Sequence, residues 1–289
     1  MRFIAVALMG VAACLAGLAC QNSSDLPPSY VSGLRVMAIK AEPPEIAPGA
    51  STTLSVLAID TGGTTPTATW SRCMRAPLAG QTVNPDCVTG AAGSDLVSVG
   101  SGLTLTTSMP DVTAASLGAP DATGGVYLPF IAQVSTPAQE ITSDYRLRLS
   151  TGDPAGQAPN TNPQVAGVFQ VGASGAQTAI VEATPLVVHA GDKITLTATF
   201  APGSAESYTT ALPNASGGTT MTPSTETLSV AWFATAGSFD NDMTSDAQPT
   251  TTLSLDTRTP AAGATIDLYA VGRDERGGTD WVHRTLTVQ

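Results

Sequence analysis

Apolar residues recur at every second position in many short runs of this sequence, and this alternation restricts the chain to β-structure. Thr and Val are frequent in the runs, and Gly, Pro, Asn and Asp separate them, as is typical of short strands joined by turns. After the N-terminal segment, no stretch of a dozen residues keeps a helical period. The sequence therefore predicts an all-β fold, a sandwich or a barrel. The clearest runs are Thr53–Leu57, Leu103–Thr107, Ile194–Ala198, Leu253–Leu255 and Ile266–Leu268.

An internal repeat relates two parts of the chain. The segment Ile39–Val56 matches Val181–Ala198 at a constant spacing of 142 residues. A Pro fits the start of an edge strand, where no backbone N–H is needed, and a Gly fits a turn with positive φ. The matched positions are Pro43 and Pro185, Gly49 and Gly191, Thr53 and Thr195, and Leu54 and Leu196.

This pattern resembles the first two strands of a bacterial immunoglobulin-like domain. Each copy is followed by a Trp in a strand-like setting, Trp70 and Trp232, and such sandwiches have a core Trp on the third strand. The resemblance implies two tandem immunoglobulin-like β-sandwiches, at residues 30–151 and 164–289. Residues 152–163 are rich in Pro, Gly and Asn and are predicted to link them.

The N-terminus has the features of an export signal. Arg2 precedes an apolar run that ends at Cys20, and polar residues follow at once. The segment resembles a bacterial lipoprotein signal, in which the signal peptide, here residues 1–19, is removed and the Cys carries acyl chains. The resemblance implies lipidation of Cys20, a polar linker at residues 20–29 and a lipid anchor in a bacterial membrane.

Other interpretations of this segment stay open. Cys14 follows a closer match to the lipoprotein pattern, but the apolar stretch before it is short for a signal. Ordinary secretion with cleavage after Ala19, or an uncleaved anchor helix, would use the same apolar run. Gln21, in place of an Asp, favours the outer membrane by resemblance to the enterobacterial sorting rule. The C-terminal half also resembles uncharacterised myxobacterial lipoproteins over Trp232–Phe239 and Arg273–Trp281, which implies no activity.

Charge and residue usage narrow the possible partners. The chain has a net charge of −11 and a pI of about 4.4, whereas a nucleic-acid binder needs a basic face. With only four Cys and two His, the chain has few candidate metal ligands or reactive thiols, so no cofactor is expected. Cys73 and Cys87 are predicted to form a disulfide, because exported proteins keep such pairs oxidised. A loop of this size contributes about 3 kcal/mol in the chain-entropy model.

Candidate catalytic and metal-binding residues are few. His189 and His283 lie near no Gly-x-Ser-x-Gly motif, and no pair of carboxylates is singled out for glycoside hydrolysis, so we expect a protein that is not an enzyme. Two acidic loops offer oxygen ligands suited to Ca²⁺, although their spacing matches no EF-hand. The weak calcium candidates are Asp240, Asp242, Asp246 and Asp274.

The register of three strands in the second sandwich predicts an aromatic face. If Trp232 faces the core, Phe233 faces out, and the same alternation turns Tyr269 and Trp281 outward. These strands are neighbours in an immunoglobulin-like sheet, so the rings should cluster on one surface. The cluster is either an exposed binding site for a sugar or a protein, or it is covered by residues 201–226 or by the first sandwich.

The sequence favours a membrane-anchored cell-surface lipoprotein that serves as a non-enzymatic structural, adhesion or binding module. The alternative is a polysaccharide-binding accessory protein that uses the aromatic face of the second sandwich. A secreted hydrolase with an unmarked pair of carboxylates is a third hypothesis. No sequence feature identifies the ligand or the partner.

Overall fold

The structure is a computed structural model that describes residues 26–78, 81–110, 117–150, 157–214, 216–256, 258 and 260–289. The predicted signal peptide, Cys14, Cys20 and the first part of the predicted linker lie outside these residues. The described chain is almost entirely β-structure, which confirms the all-β prediction. Within these ranges, no helix has the length and apolar composition needed to span a bilayer.

The first sandwich contains β1 to β8. A short helix and a 3-10 turn lie between β4 and β5. The elements are β1 (Leu34–Glu42), β2 (Glu45–Ile46), β3 (Ser51–Asp60), β4 (Thr67–Cys73), α1 (Pro85–Val88), the 3-10 turn Gly93–Asp95, β5 (Leu96–Ser101), β6 (Thr104–Ser108), β7 (Val126–Ser135) and β8 (Glu140–Leu149).

Two sheets face each other in this sandwich, in an immunoglobulin-like strand order. One sheet has the order β1–β3–β6, and the other has the order β2–β8–β7–β4–β5. The short strand β2 runs parallel to β8, the last strand, whereas β1 runs antiparallel to β3 in the opposite sheet. Apolar side chains from both sheets fill the core. The largest of them are Leu54, Trp70, Leu128, Phe130 and Leu147, all with 0% exposure.

The second sandwich contains β9 to β20. Its elements are β9 (Val165–Val171), β10 (Gln177–Ile180), β11 (Leu186–Val188), β12 (Lys193–Phe200), β13 (Ser207–Pro213), β14 (Thr219–Thr225), β15 (Ser229–Ala234), β16 (Ser238–Phe239), β17 (Met243–Ser245), β18 (Thr250–Ser254), β19 (Thr265–Arg273) and β20 (Thr279–Val288).

The second sandwich repeats the arrangement of the first and adds the edge strands β10 and β16 and one separate hairpin. Its sheets have the orders β10–β9–β12–β18–β16 and β11–β20–β19–β15–β17, and β11 runs parallel to β20. The hairpin β9–β10 precedes β11, and the separate hairpin β13–β14 lies within residues 201–226. Between the sheets lie Leu196, Trp232, Leu253, Ile266 and Leu268, all fully buried.

The sequence repeat marks the point where the chain changes sheets. Pro43 lies shortly before β2, and Pro185 lies directly before β11, the strand that pairs in parallel with the last strand of each sandwich. Gly49 and Gly191 follow with φ of +79° and +87°, a backbone conformation that side chains with a Cβ disfavour. The repeat therefore encodes the crossover and the turn after it.

Cys73 and Cys87 form the predicted disulfide. Their Cα atoms are 5.9 Å apart, and both residues are buried. Cys73 ends β4 and Cys87 lies in α1, so the bridge fastens the connection after β4 to the sheet. Val83 and Ala92 of this connection pack with Ile131 of β7 in a small cluster outside the main core.

Candidate functional site between the sandwiches

The predicted aromatic cluster forms, and the first sandwich covers it. Phe233, Tyr269 and Trp281 lie on the neighbouring strands β15, β19 and β20 and do not belong to the core of their own sandwich. Tyr269 packs with Val31 and Met37, and only 6% of it is exposed. Of the two alternatives, an exposed site or a face covered by another part of the chain, the structure has the second: the three rings lie at an interface between the two sandwiches.

Small residues and cations complete this interface. Ala38, from β1, packs against the second sandwich in a cluster that includes Trp281. The Lys40 ammonium lies 4.8 Å from the centroid of the Trp281 ring and 3.0 Å from Oδ1 of Asp280. The Arg35 guanidinium lies 5.7 Å from the centroid of the Phe233 ring. Cations over aromatic faces are attracted by the ring quadrupole, so these pairs add to the contact.

The sequence also indicates that this aromatic face is covered, although the alternation of apolar residues does not reveal it. A strand with one face in water alternates, whereas Val36–Ile39 and Val56–Ile59 are continuously apolar. In the structure Val56 faces the core, while Leu57 and Met37 pack towards the second sandwich. A register shift between Val36 and Ala38 helps β1 to present apolar side chains on both sides.

The acidic loops of the second sandwich do not form a metal site. Among the described residues, no group of three or more His, Cys, Asp or Glu side chains is placed to hold a metal ion. Asp240 instead accepts hydrogen bonds from the Thr251 hydroxyl at 2.9 Å and from the Thr252 N–H at 2.7 Å. Asp274 lies in the turn between β19 and β20 and accepts a bond from the Gly278 N–H. The weak calcium candidates Asp240, Asp242, Asp246 and Asp274 belong to no such group.

The two His side chains make local contacts. His189 lies in a turn, with Nδ1 3.5 Å from Asp192. His283 Nε2 lies 2.7 Å from Oδ1 of Asp267, and its ring stacks on Tyr269 with the centroids 4.7 Å apart. In the part of the chain that the structure describes, neither ring is hydrogen-bonded to a Ser or Thr hydroxyl, so neither forms the arrangement that acyl transfer needs.

A buried ion pair ties the chain between the sandwiches to the first of them. Nε of Arg148 donates to Oε2 of Glu45 at 2.8 Å, and the two side chains are 2% and 5% exposed. The Asn160 N–H donates to the same Glu45 oxygen at 2.8 Å, and its Nδ2 donates to Asp274 at 3.2 Å. Asn160 thus bridges carboxylates from both sandwiches.

A second ion pair fastens the β13–β14 hairpin. Nε of Arg276 donates to Glu226 at 2.6 Å, and Nη2 donates to Glu206 at 2.7 Å. Both Glu residues flank the hairpin, and Arg276 lies in the turn between β19 and β20. The hairpin also reaches the first sandwich, where the Ala211 N–H donates to the Ala122 carbonyl at 2.6 Å.

Burial sets the ionisation of several groups in this region. Loss of water raises the pKa of Asp274 and of Glu226, and the hydrogen bonds to each carboxylate offset only part of that effect. Burial, together with the hydrogen bond to Asp121, raises the pKa of Tyr127 to about 12. Tyr127 therefore keeps its proton at neutral pH and donates to Asp121 at 2.5 Å.

A cleft of about 400 Å³ lies beside these groups, between the two sandwiches. Its walls come from residues 36–39 of β1, residues 143–146 of β8 and residues 273–277 at the end of β19 and in the following turn. The Tyr145 hydroxyl donates to the Gly277 carbonyl at 3.3 Å and joins two of the walls. A volume of this size is in the range of small-molecule sites. Since the face formed by the aromatic rings is covered, this cleft is the candidate functional site.

One feature of the sequence marks a wall of this cleft, although alternation of apolar residues does not reveal it. Residues 273–276 are four consecutive charged residues in a chain in which charged residues make up only 12%. The interpretation of this turn as an acidic loop gives a role to Asp274 and none to its charged neighbours. A short cluster of both signs in a turn is better placed to contact another part of the chain, and all four of its members make such contacts.

Comparison with known proteins identifies no family for this chain. No protein-family model matches the chain, and no curated protein is significantly similar to it. Among solved structures, Escherichia coli alpha-2-macroglobulin activated by porcine elastase is similar to it at 12% identity and a TM-score of 0.24. The match covers 90% of this chain and 22% of that chain, so this chain spans about a fifth of that protein. A likeness at this level carries no inference about function.

Proposed function

We propose that this chain is an exported protein held on a bacterial membrane by a lipid at Cys20, and that it serves as a non-enzymatic structural, adhesion or binding module. The observation that carries the proposal is the apolar segment that ends in Cys20 and gives way at once to polar residues. The Cys73–Cys87 disulfide supports export, because such bonds persist in oxidising compartments.

The contacts of the first described residues fit an anchored body. The Val31 N–H donates to the Ala234 carbonyl, and the Ala234 N–H donates to the Ser29 carbonyl, so this segment is fixed to the second sandwich. Residues 21–28 would separate a lipid on Cys20 from that point, and eight extended residues span at most roughly 30 Å. A lipid at Cys20 would therefore hold both sandwiches close to the membrane rather than on a long stalk.

Metabolic labelling with a fatty-acid analogue tests the anchor. The full-length chain, Cys20→Ala and Cys14→Ala are expressed in a bacterial host that exports lipoproteins. We expect label on the wild-type chain and on Cys14→Ala, and none on Cys20→Ala. Label that persists in Cys20→Ala and disappears in Cys14→Ala would move the site to Cys14. An unlabelled wild-type chain would rule out lipidation, and ordinary secretion or an uncleaved helix would then explain the segment.

Protease treatment of intact cells tests the location at the cell surface. A chain on the outer leaflet is degraded without lysis, whereas a chain on the periplasmic face is degraded only after the outer membrane is opened. A periplasmic marker protein that survives the treatment is the control. Protection of the labelled chain in intact cells would exclude an adhesion role towards other cells and leave a periplasmic structural role.

A further inference from the structure

Three of the six charged groups that line the cleft, those of residues 274–276, have partners within the chain. Asp274 accepts a hydrogen bond from Asn160, and Glu275 accepts one from the Thr227 N–H at 2.8 Å. Arg276 is paired with carboxylates of the hairpin, as described above. These groups are therefore occupied, and they are poor candidates for contacts with a ligand.

Arg273 is the exception on the wall formed by the second sandwich. It is half-buried and donates from Nη2 to the Met37 carbonyl at 3.1 Å, and it forms no ion pair with any described residue. Burial lowers the pKa of Arg273, as expected for a cation that has lost water without gaining a carboxylate. A partly dehydrated guanidinium without a carboxylate partner costs free energy. Charged groups with perturbed pKa values are common at binding sites.

Arg146 supplies a second guanidinium from the first sandwich. It is exposed on β8, lies 4.6 Å from the centroid of the Tyr127 ring and forms no ion pair with any described residue. Both Arg residues line the same cleft. A guanidinium offers two parallel N–H groups that match the two oxygens of a carboxylate or sulfate, so the pair favours an oxyanion.

The rest of the lining fits a sugar better than a longer anion. Thr82 and Ser143 line the cleft and offer hydroxyl groups, which can exchange hydrogen bonds with the hydroxyls of a sugar. The net charge of −11 disfavours a long polyanion, because repulsion grows with every acidic group that approaches the chain. The cleft volume of about 400 Å³ accommodates a small ligand.

We propose that the cleft binds a small sugar unit that carries a carboxylate or sulfate group, with the acidic group held by Arg273 and Arg146. The aromatic rings between the sandwiches take no part, because they are covered. This inference goes beyond the anchoring proposed above and does not depend on lipidation, so the two can fail separately.

Calorimetric titration of the purified full-length chain tests the site with three probes. Galacturonic acid and galactose differ only in the carboxylate, and inorganic sulfate carries the charge without a sugar. We expect galacturonic acid to bind at least about tenfold more tightly than galactose, since a hydrogen-bonded charge contributes roughly 1.5–3 kcal/mol. Arg273→Gln and Arg146→Gln should each weaken galacturonic acid binding about tenfold or more. Lys193→Gln removes the same charge from an exposed strand position and should leave binding unchanged.

The melting temperature of Arg273→Gln and the removal of a carboxylate from the cleft test the proposal further. Arg273→Gln should keep or raise the melting temperature, because it removes a half-buried cation that has no carboxylate partner. Asp144→Asn removes an exposed carboxylate from the cleft wall and should keep or strengthen binding of the acid. Equal binding of galacturonic acid and galactose, or undiminished binding in Arg273→Gln, would overturn the proposal. Sulfate that binds as tightly as galacturonic acid would overturn the assignment to a sugar. If Arg273→Gln lowers both the affinity for galacturonic acid and the melting temperature, Arg273 has a structural role.

Discussion

Arg148 and Arg276 are both almost completely buried, yet the structure satisfies them to different degrees. Arg148 donates from Nε to Glu45, from Nη1 to the Thr123 hydroxyl at 2.8 Å and from Nη2 to the Thr123 carbonyl at 2.9 Å. Arg276 donates from Nε and Nη2, but its Nη1 is buried without a partner among the described residues. Because a buried charge must recover its lost hydration through such bonds, Arg148 is the better compensated of the two.

Removal of Arg148 should therefore destabilise the chain strongly. Arg148→Met leaves Glu45 buried without its cation, and breaking a buried pair in this way costs about 3–5 kcal/mol. The double variant Arg148→Met, Glu45→Gln should recover part of the loss, because the unpaired carboxylate is removed as well. Urea unfolding of the wild type and the variants gives the free energies.

Arg146→Met is the matched control for that measurement. Arg146 lies two residues away on the same strand, is exposed and contacts the Tyr127 ring, so its loss should cost at most about 1 kcal/mol. If Arg148→Met is no less stable than this control, the buried pair does not hold the fold. If the double variant is as unstable as Arg148→Met alone, the penalty does not come from the uncompensated Glu45.

In individual strands, the sequence pattern predicts correctly which side chains face the core. Alternation in β15, β19 and β20 predicted that Trp232 faces the core and that Phe233, Tyr269 and Trp281 face away from it, and the structure has this arrangement. The pattern succeeds because successive side chains of a strand must point to opposite faces. It could not say what lies against the outer face, because alternation describes one sheet and not its neighbour.

Tyr269→Ala tests whether the covered face stabilises the molecule. Tyr269 is 6% exposed between the sandwiches, so removing its ring should cost about 3–5 kcal/mol, as for other buried aromatic residues. Met243→Ala, on β17 of the same sheet, removes a side chain that is 55% exposed and should have little effect. Thermal denaturation compares the two, and equal melting temperatures would mean that the rings are not buried in solution.

The sequence pattern did not predict the cleft, for a different reason. Its walls are brought together by pairs such as Tyr145 and Gly277, which are 132 residues apart, and Met37 and Arg273, which are 236 apart. No local period or motif encodes contacts at such separations. They depend on how two separately predictable sandwiches pack, so the candidate site became visible only in the assembled structure.

The whole molecule is a stack of sheets with three apolar layers. Each sandwich has its own core, and a third layer lies where the sheet β1–β3–β6 meets the sheet β11–β20–β19–β15–β17. At this layer Ala38, Ala231 and Val271 are 6%, 9% and 0% exposed, so the two sheets approach closely through small side chains. An interface of this kind couples the stability of one sandwich to that of the other, although either has a core that could persist alone.

That coupling predicts how the chain unfolds. The wild type should melt in one calorimetric transition, because neither sandwich can unfold without exposing the apolar layer that they share. Ala38→Glu should split the transition in two, because its longer, charged side chain does not fit against Ala231 and Val271 while the sheets are in contact. Ser98→Glu adds the same charge at an exposed position of β5 and should keep a single transition. Two transitions in the wild type, or one unshifted transition in Ala38→Glu, would show that the sandwiches unfold independently of this layer. The cleft between them would then have no fixed shape with which to select a ligand.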